Sequence, residues 1–187
     1  MNIYALTEDD KYKTLVDEEH AGGLQEFASS LAFNRALLPF HEFVGRVIYN
    51  PEDSKKKAHS DFYTFFRPVL IASDSAVSKL AALAKLPKVK VMTPRQGDTA
   101  LYVPNVVSGL FNFEESDYDE GPNGYVVYRT VLNSTVALTE QIFRIPESPM
   151  ALFVTQEFKD EVLLNKLKGL VFREIKISGL ETSMPSA

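Results

Sequence analysis

Two stretches of the chain follow one plan, and any fold it adopts has to satisfy that plan twice. Residues 152–175, LFVTQEFKDEVLLNKLKGLVFREI, open with the apolar run Leu152, Phe153 and Val154. They pass into a segment where Phe158, Val162, Leu163 and Leu167 recur near a 3.6-residue period. Gly169 then supplies a left-handed stop before Leu170, Val171 and Phe172. Residues 69–92, VLIASDSAVSKLAALAKLPKVKVM, do the same: an apolar start, then Val77, Leu80, Ala81 and Ala84 on one helical face, then Pro87 as a breaker before the alternating Val89 and Val91. Each stretch reads strand, helix, strand. A duplicated unit explains the likeness, and so does the commonness of an amphipathic helix between two strands; the pattern alone leaves both open. Neither copy holds a reactive constellation.

The fold class follows from these units: α+β, one domain over residues 1–187, with a mixed sheet built around two strand–helix–strand units and flanking helices. At 187 residues, 45% hydrophobic and 24% charged, the chain can bury one full core. Its apolar runs fall far short of the roughly 20 residues that span a bilayer, and MNIYALTEDD is not a signal peptide. The absence of cysteine excludes disulfides, thiol catalysis and thiolate metal sites, and the simplest location is the cytoplasm.

Charge is unevenly spread. The net charge of -5 argues against a general nucleic-acid binder. Glu8, Asp9, Asp10, Asp17, Glu18, Glu19 and Glu26 outnumber Lys11 and Lys13 at the N-terminus. Between residues 54 and 95, nine lysines and arginines face only Asp61 and Asp74. Acid returns in EESDYDE, residues 114–120. Such runs are ordinary solvated faces, or they steer a basic partner.

Taken in order, residues 2–6 read as a short edge strand, residues 12–16 as a possible strand, residues 24–38 as a helix ended by Pro39, and residues 43–49 as a strand. NPEDSKKKAHSD is the segment expected to be mobile, and the aromatics of DFYTFF are expected in the core. ALYVPNVVSGLFNF reads as a strand, a break near Pro104 or Gly109, and another extended piece. GPNG at residues 121–124 is a turn before the strand-forming YVVYRTVL, residues 141–145 add a short strand, and residues 178–187 form a frayed tail.

Chemistry has little foothold. His20, His41 and His59 match no metal-ligand spacing, and no serine sits in a G-x-S-x-G elbow. The acidic run lacks the spacing of a calcium loop, and no glycine-rich phosphate motif is present. The sequence therefore implies no catalytic residues, no metal and no cofactor.

The residues PVLIASDSAVSKLAAL (68–83), YVPNVVSGLFNFEES (102–116), IFRI (142–145) and LFVTQEFKDEVLLNKLKGLVFREI together resemble the bacterial polymorphic-toxin immunity proteins, in the family typified by a myxobacterial immunity domain. The likeness covers most of residues 68–175; residues 1–66 match poorly. What the resemblance implies is a cytoplasmic protein, not an enzyme, that binds and blocks a cognate protein toxin, a secreted effector, and engages neither nucleic acid nor membrane. Two alternatives stay open. One is an enzyme whose site is assembled from scattered residues. The other is a homo-oligomeric scaffold paired through strand edges.

The partner site is expected in FNFEESDYDEGPNGY, a loop-prone stretch where acid alternates with aromatics. Tyr118 supplies contact area at low entropic cost, and Glu115, Asp117, Asp119 and Glu120 can pair with lysine or arginine on the toxin.

Overall fold

The computed structural model describes residues 2–18, 23–34, 39–134 and 138–179. In chain order the elements are β1 (Ile3–Glu8), β2 (Leu15–Asp17), α1 (Leu24–Ala32), β3 (Val44–Tyr49), β4 (Phe62–Tyr63), β5 (Val69–Ser73), α2 (Asp74–Lys79), α3 (Ala81–Ala84), β6 (Lys88–Met92) and β7 (Asp98–Tyr102). There follow β8 (Asp117–Gly121), β9 (Gly124–Arg129), β10 (Val131–Leu132), β11 (Ile142–Ile145), β12 (Ser148–Thr155), α4 (Gln156–Leu164) and β13 (Leu170–Ile177). Strand outweighs helix and both larger sheets are mixed, so the chain is α+β in the broad sense. One sheet runs β10-β13-β1-β12-β11, the other β2-β3-β6-β7-β5-β4, and β8 with β9 forms a separate two-stranded ribbon.

The repeated plan extends well beyond its helices. β5 and β6 both pair antiparallel with β7, so they run parallel to each other with β7 between them. β12 and β13 are likewise parallel, with β1 between them. Outside these triplets, β4 pairs antiparallel with β5 as β11 does with β12, and β3 pairs parallel with β6 as β10 does with β13. The register agrees as well. Ser73 opposite Asp98 corresponds to Thr155 opposite Ile3, and Lys88 opposite Leu101 to Phe172 opposite Leu6. Phe62 opposite Ala72 corresponds to Ile142 opposite Val154, and Arg46 opposite Met92 to Val131 opposite Lys176. Chain order separates the paired strands of the two halves: β7 follows β6, whereas the strand in its place beside β13 is β1, from the N-terminus.

β1 is therefore a central strand, and the edge strand expected of residues 2–6 is corrected. Pairing on both sides closes its backbone groups, and its period-2 alternation sends Tyr4 and Leu6 to one cluster and Ile3 and Ala5 to another. The first cluster joins the sheets. It takes Phe62, Leu70, Ala72, Ala76, Leu80 and Leu101 from one half, and the corresponding Ile142, Leu152, Val154, Phe158, Val162 and Leu6 from the other. The second faces of the sheets are covered differently. Leu24, Phe27 and Ala28 of α1 pack with Tyr63, Ile71, Val89 and Ala100, while Leu110, Phe111, Tyr118 and Val127 pack with Phe143 and Phe153. Polar ties cross between halves: buried Arg144 donates to the Tyr102 hydroxyl at 3.0 Å, and Lys168 N donates to Asp61 Oδ2 at 2.9 Å.

Several boundaries differ from the sequence reading. The helix over residues 74–84 is two pieces, because Leu80 takes an extended conformation (φ -108°, ψ 104°) between them. α4 stops at Leu164, so Gly169 is not its cap. Gly169 has φ +102°, and a Cβ there would lie 1.6 Å from Ser60 Oγ, so glycine is required by the close approach of another segment. Leu163, assigned above to the buried face, is 57% exposed, and Phe172 is half-buried. α1 ends at Ala32; Leu37 lies outside the described residues, as do His20 and residues 180–187. Ser178, assigned to the frayed tail, donates its backbone N–H to Leu132 O at 2.8 Å. The lysine-rich segment expected to be mobile is held at its head and middle, where Asp53 accepts from Thr14 N at 2.6 Å and from Lys57 Nζ at 2.9 Å. Of DFYTFF, Phe62, Tyr63 and Phe66 are buried as expected, whereas Phe65 is exposed.

Candidate partner-binding ribbon

The stretch expected to be a loop folds into the β8–β9 ribbon, closed by the turn that GPNG signals. Asp and Glu are poor strand formers, but here β9 brings a strand of Val and Tyr opposite them. Tyr118 pairs with Val127, Glu120 with Tyr125 and Asp119 with Val126. Glycine at 124 meets a positive φ of 115° at the turn.

Alternation gives the ribbon two faces. Tyr118 points inward, half-buried, with its ring edge-to-face against Phe111, Phe113 and Tyr125 at centroid separations of 5.5–5.6 Å. This aromatic group anchors the ribbon on the second sheet, so Tyr118 positions the ribbon and offers little surface. The outward face carries Val126 (55% exposed) and Tyr128 (64% exposed). Asp119 lies on the same side and accepts from the Tyr128 hydroxyl at 2.8 Å, which raises the tyrosine above its ordinary pKa. Asp117 is exposed on this side as well, while Glu120, also exposed, alternates to the side of Tyr118, opposite Tyr125. Val126 and Tyr128 were missed in the sequence because they sit in an unbroken run of strand formers; only the period-2 alternation from Tyr118 could have separated the faces.

Glu115 is occupied elsewhere. Its Oε2 accepts from Lys176 Nζ at 2.7 Å, its Oε1 from the Ser178 hydroxyl, and its backbone N–H donates to Asn112 Oδ1 at 3.0 Å. Lys176 first and Ser178 second hold its carboxyl below the usual range. It fastens the end of β13 to the base of the ribbon. Of the five residues singled out in the sequence, the structure thus leaves Asp117, Asp119 and Glu120 open to a partner.

A different gathering bears on the enzyme alternative. Asp98, its side chain fully buried, accepts from Arg95 Nη2 at 2.6 Å and Nε at 3.0 Å through Oδ1, while Oδ2 has no partner among the described residues. Burial outweighs Arg95 and raises its carboxyl above the usual range; burial likewise raises the Tyr63 and Tyr49 hydroxyls nearby. Among the described residues no group of three or more His, Cys, Asp or Glu could hold a metal ion, and no helix is long and apolar enough to cross a membrane. His41 lies exposed beside Glu42, and His59 packs against Tyr49. No family model matches the chain, and no curated protein matches it significantly.

Proposed function

We propose that this protein is a cytoplasmic immunity protein that binds and neutralises a cognate bacterial toxin, and that the outward face of the β8–β9 ribbon is where the toxin docks. On this reading the chain is one α+β domain of two strand–helix–strand units, and the ribbon is its recognition element. The observation that carries it is Val126 and Tyr128, large side chains standing exposed beside Asp117 and Asp119, with Glu120 exposed near the turn, on an element whose inner face is locked by aromatics. A rigid platform with an aromatic at its centre and carboxylates around it suits a basic protein surface: tyrosine supplies desolvated contact area and the acid supplies steering. The resemblance of residues 68–175 to immunity proteins supplies the class of partner. A growth-protection assay tests it. Cells expressing the cognate toxin should survive with this chain and die with a folded Val126→Asp/Tyr128→Asp variant; protection by that variant would overturn the ribbon as the docking face.

A second reading, an enzyme centred on buried Asp98, draws on its raised pKa and its unpartnered oxygen. Asp98→Asn separates the two, because an immunity protein that stays folded keeps protecting without that carboxylate.

A further inference from the structure

Helix α4 presents a surface that packing within the chain does not explain. Leu163 is 57% exposed and Leu164 81% exposed, and they share a shallow trough with Gln156, Glu157, Asp160 and Glu161. The other half of the fold acts as an internal control. The matching helix caps Ser73 and Thr155 bring Ala76 into correspondence with Phe158 and Leu80 with Val162, and all four are buried in the shared core. Past this point the halves diverge: α2 stops before the extended Leu80, whereas α4 continues through Leu163 and Leu164. That continuation carries two exposed leucines, whereas the residues that follow Leu80 in the other half, exposed Ala81 and half-buried Ala82, offer only methyl groups. Adjacent leucines left in water, rimmed by polar residues, mark a contact surface.

Charge selects the occupant. The ionisable residues lining the trough are the carboxylates Glu157, Asp160 and Glu161. The nearby Lys159 turns away, its Nζ 3.9 Å over the Tyr4 ring. A second copy docked here symmetrically would set these carboxylates against their own counterparts, which opposes self-association through this face. We propose that α4 is a docking face, separate from the ribbon, for a basic protein segment that lays apolar side chains over Leu163 and Leu164 and pairs its lysines or arginines with Glu157, Asp160 and Glu161. The proposal stands whether or not the ribbon binds a toxin.

The test is a methyl-NMR titration of the full chain with a synthetic amphipathic peptide, leucine on one helical face and lysine on the other, against the same peptide with glutamate for lysine. The Leu163 and Leu164 methyl signals should shift saturably with the lysine peptide and not with the glutamate peptide. Leu163→Ala/Leu164→Ala, which trims two exposed side chains and favours helix, should keep the fold and bind at least roughly tenfold more weakly. Glu157→Gln/Asp160→Asn/Glu161→Gln should remove most of the salt dependence. Shifts that bypass the two leucines, an equal response to the glutamate peptide, or unchanged affinity in the alanine pair would overturn the proposal. So would a dimer in sedimentation that the alanine pair dissolves, since that would make a second copy the occupant.

Discussion

Ser73 and Thr155 hold the same position in the two halves of the fold: each ends a strand, and each turns its side-chain oxygen onto the first turn of the following helix. Ser73 Oγ accepts from Ala76 N at 3.1 Å, and Thr155 Oγ1 from Phe158 N at 3.4 Å. Ser73 does more, since it is buried and also donates to Asp61 Oδ1 at 2.9 Å. Alanine at either site should cost about 0.5–2 kcal/mol, with Ser73→Ala the larger loss. Urea unfolding of the two variants checks the order.

The correspondence of β1 with β7 makes a prediction about connectivity. β13 and β1 are antiparallel neighbours, Ile175 opposite Ile3, so the end of one strand lies beside the start of the other. β6 and β7 are joined directly at the matching place by the 93–97 turn. A circular permutant that joins Gly179 to Asn2 by a short linker, and opens the chain after Asp10, should fold and unfold in one cooperative transition. A permutant lacking that transition would show that the two halves do not share one architecture in solution.

Helix α4 carries both buried and exposed large apolar residues within two turns. Phe158 is fully buried in the shared core, while Leu163 is more than half exposed. Phe158→Ala should therefore cost roughly 3–5 kcal/mol, and Leu163→Ala within about 0.5 kcal/mol of nothing. Denaturation midpoints of the pair measure it directly.

How far such features were legible in the sequence depends on what fixes each one. The two strand–helix–strand units could be read because Phe158 and Val162, or Ala76 and Leu80, recur at a period that a single helix imposes. Leu163 could not be placed: periodicity admits it to the apolar face, yet the shared core takes Phe158 and Val162 from α4 and leaves Leu163 exposed. The central position of β1 was equally hidden, because a strand's neighbours come from segments more than 140 residues away, here β12 and β13. The acidic run was legible as a candidate site, yet its division into inward Tyr118, occupied Glu115 and open Asp119 depends on the ribbon's register and on Lys176, 61 residues distant.

Glu8 gives the stability a pH signature. Its Oε1 accepts from Thr64 N at 2.9 Å and Phe65 N at 3.1 Å, yet burial outweighs these bonds and nearby Arg67 and raises its carboxyl above the ordinary 4.5. A carboxyl that binds its proton more tightly folded than unfolded opposes folding when ionised. Stability from this site falls as pH rises from 4.5 through the raised value, and recovers as pH drops. Glu8→Gln keeps an acceptor for both N–H groups and should flatten that part of the pH profile. Glu8→Ala, which strands them, should lose about 1–3 kcal/mol. An unchanged profile in the glutamine variant would remove Glu8 as the cause.

The docking reading of the ribbon is tested most directly by the binding kinetics of the cognate toxin at several salt concentrations. Asp117→Lys/Asp119→Lys/Glu120→Lys should slow association and abolish most of its salt dependence, because these carboxylates act at a distance. Tyr128→Ala should leave association nearly unchanged and speed dissociation by an amount equivalent to about 1–3 kcal/mol, because the ring acts only in contact. Both variants folded, with association and dissociation rates equal to the parent's at every salt concentration, would contradict the reading and move the toxin-binding face off the ribbon.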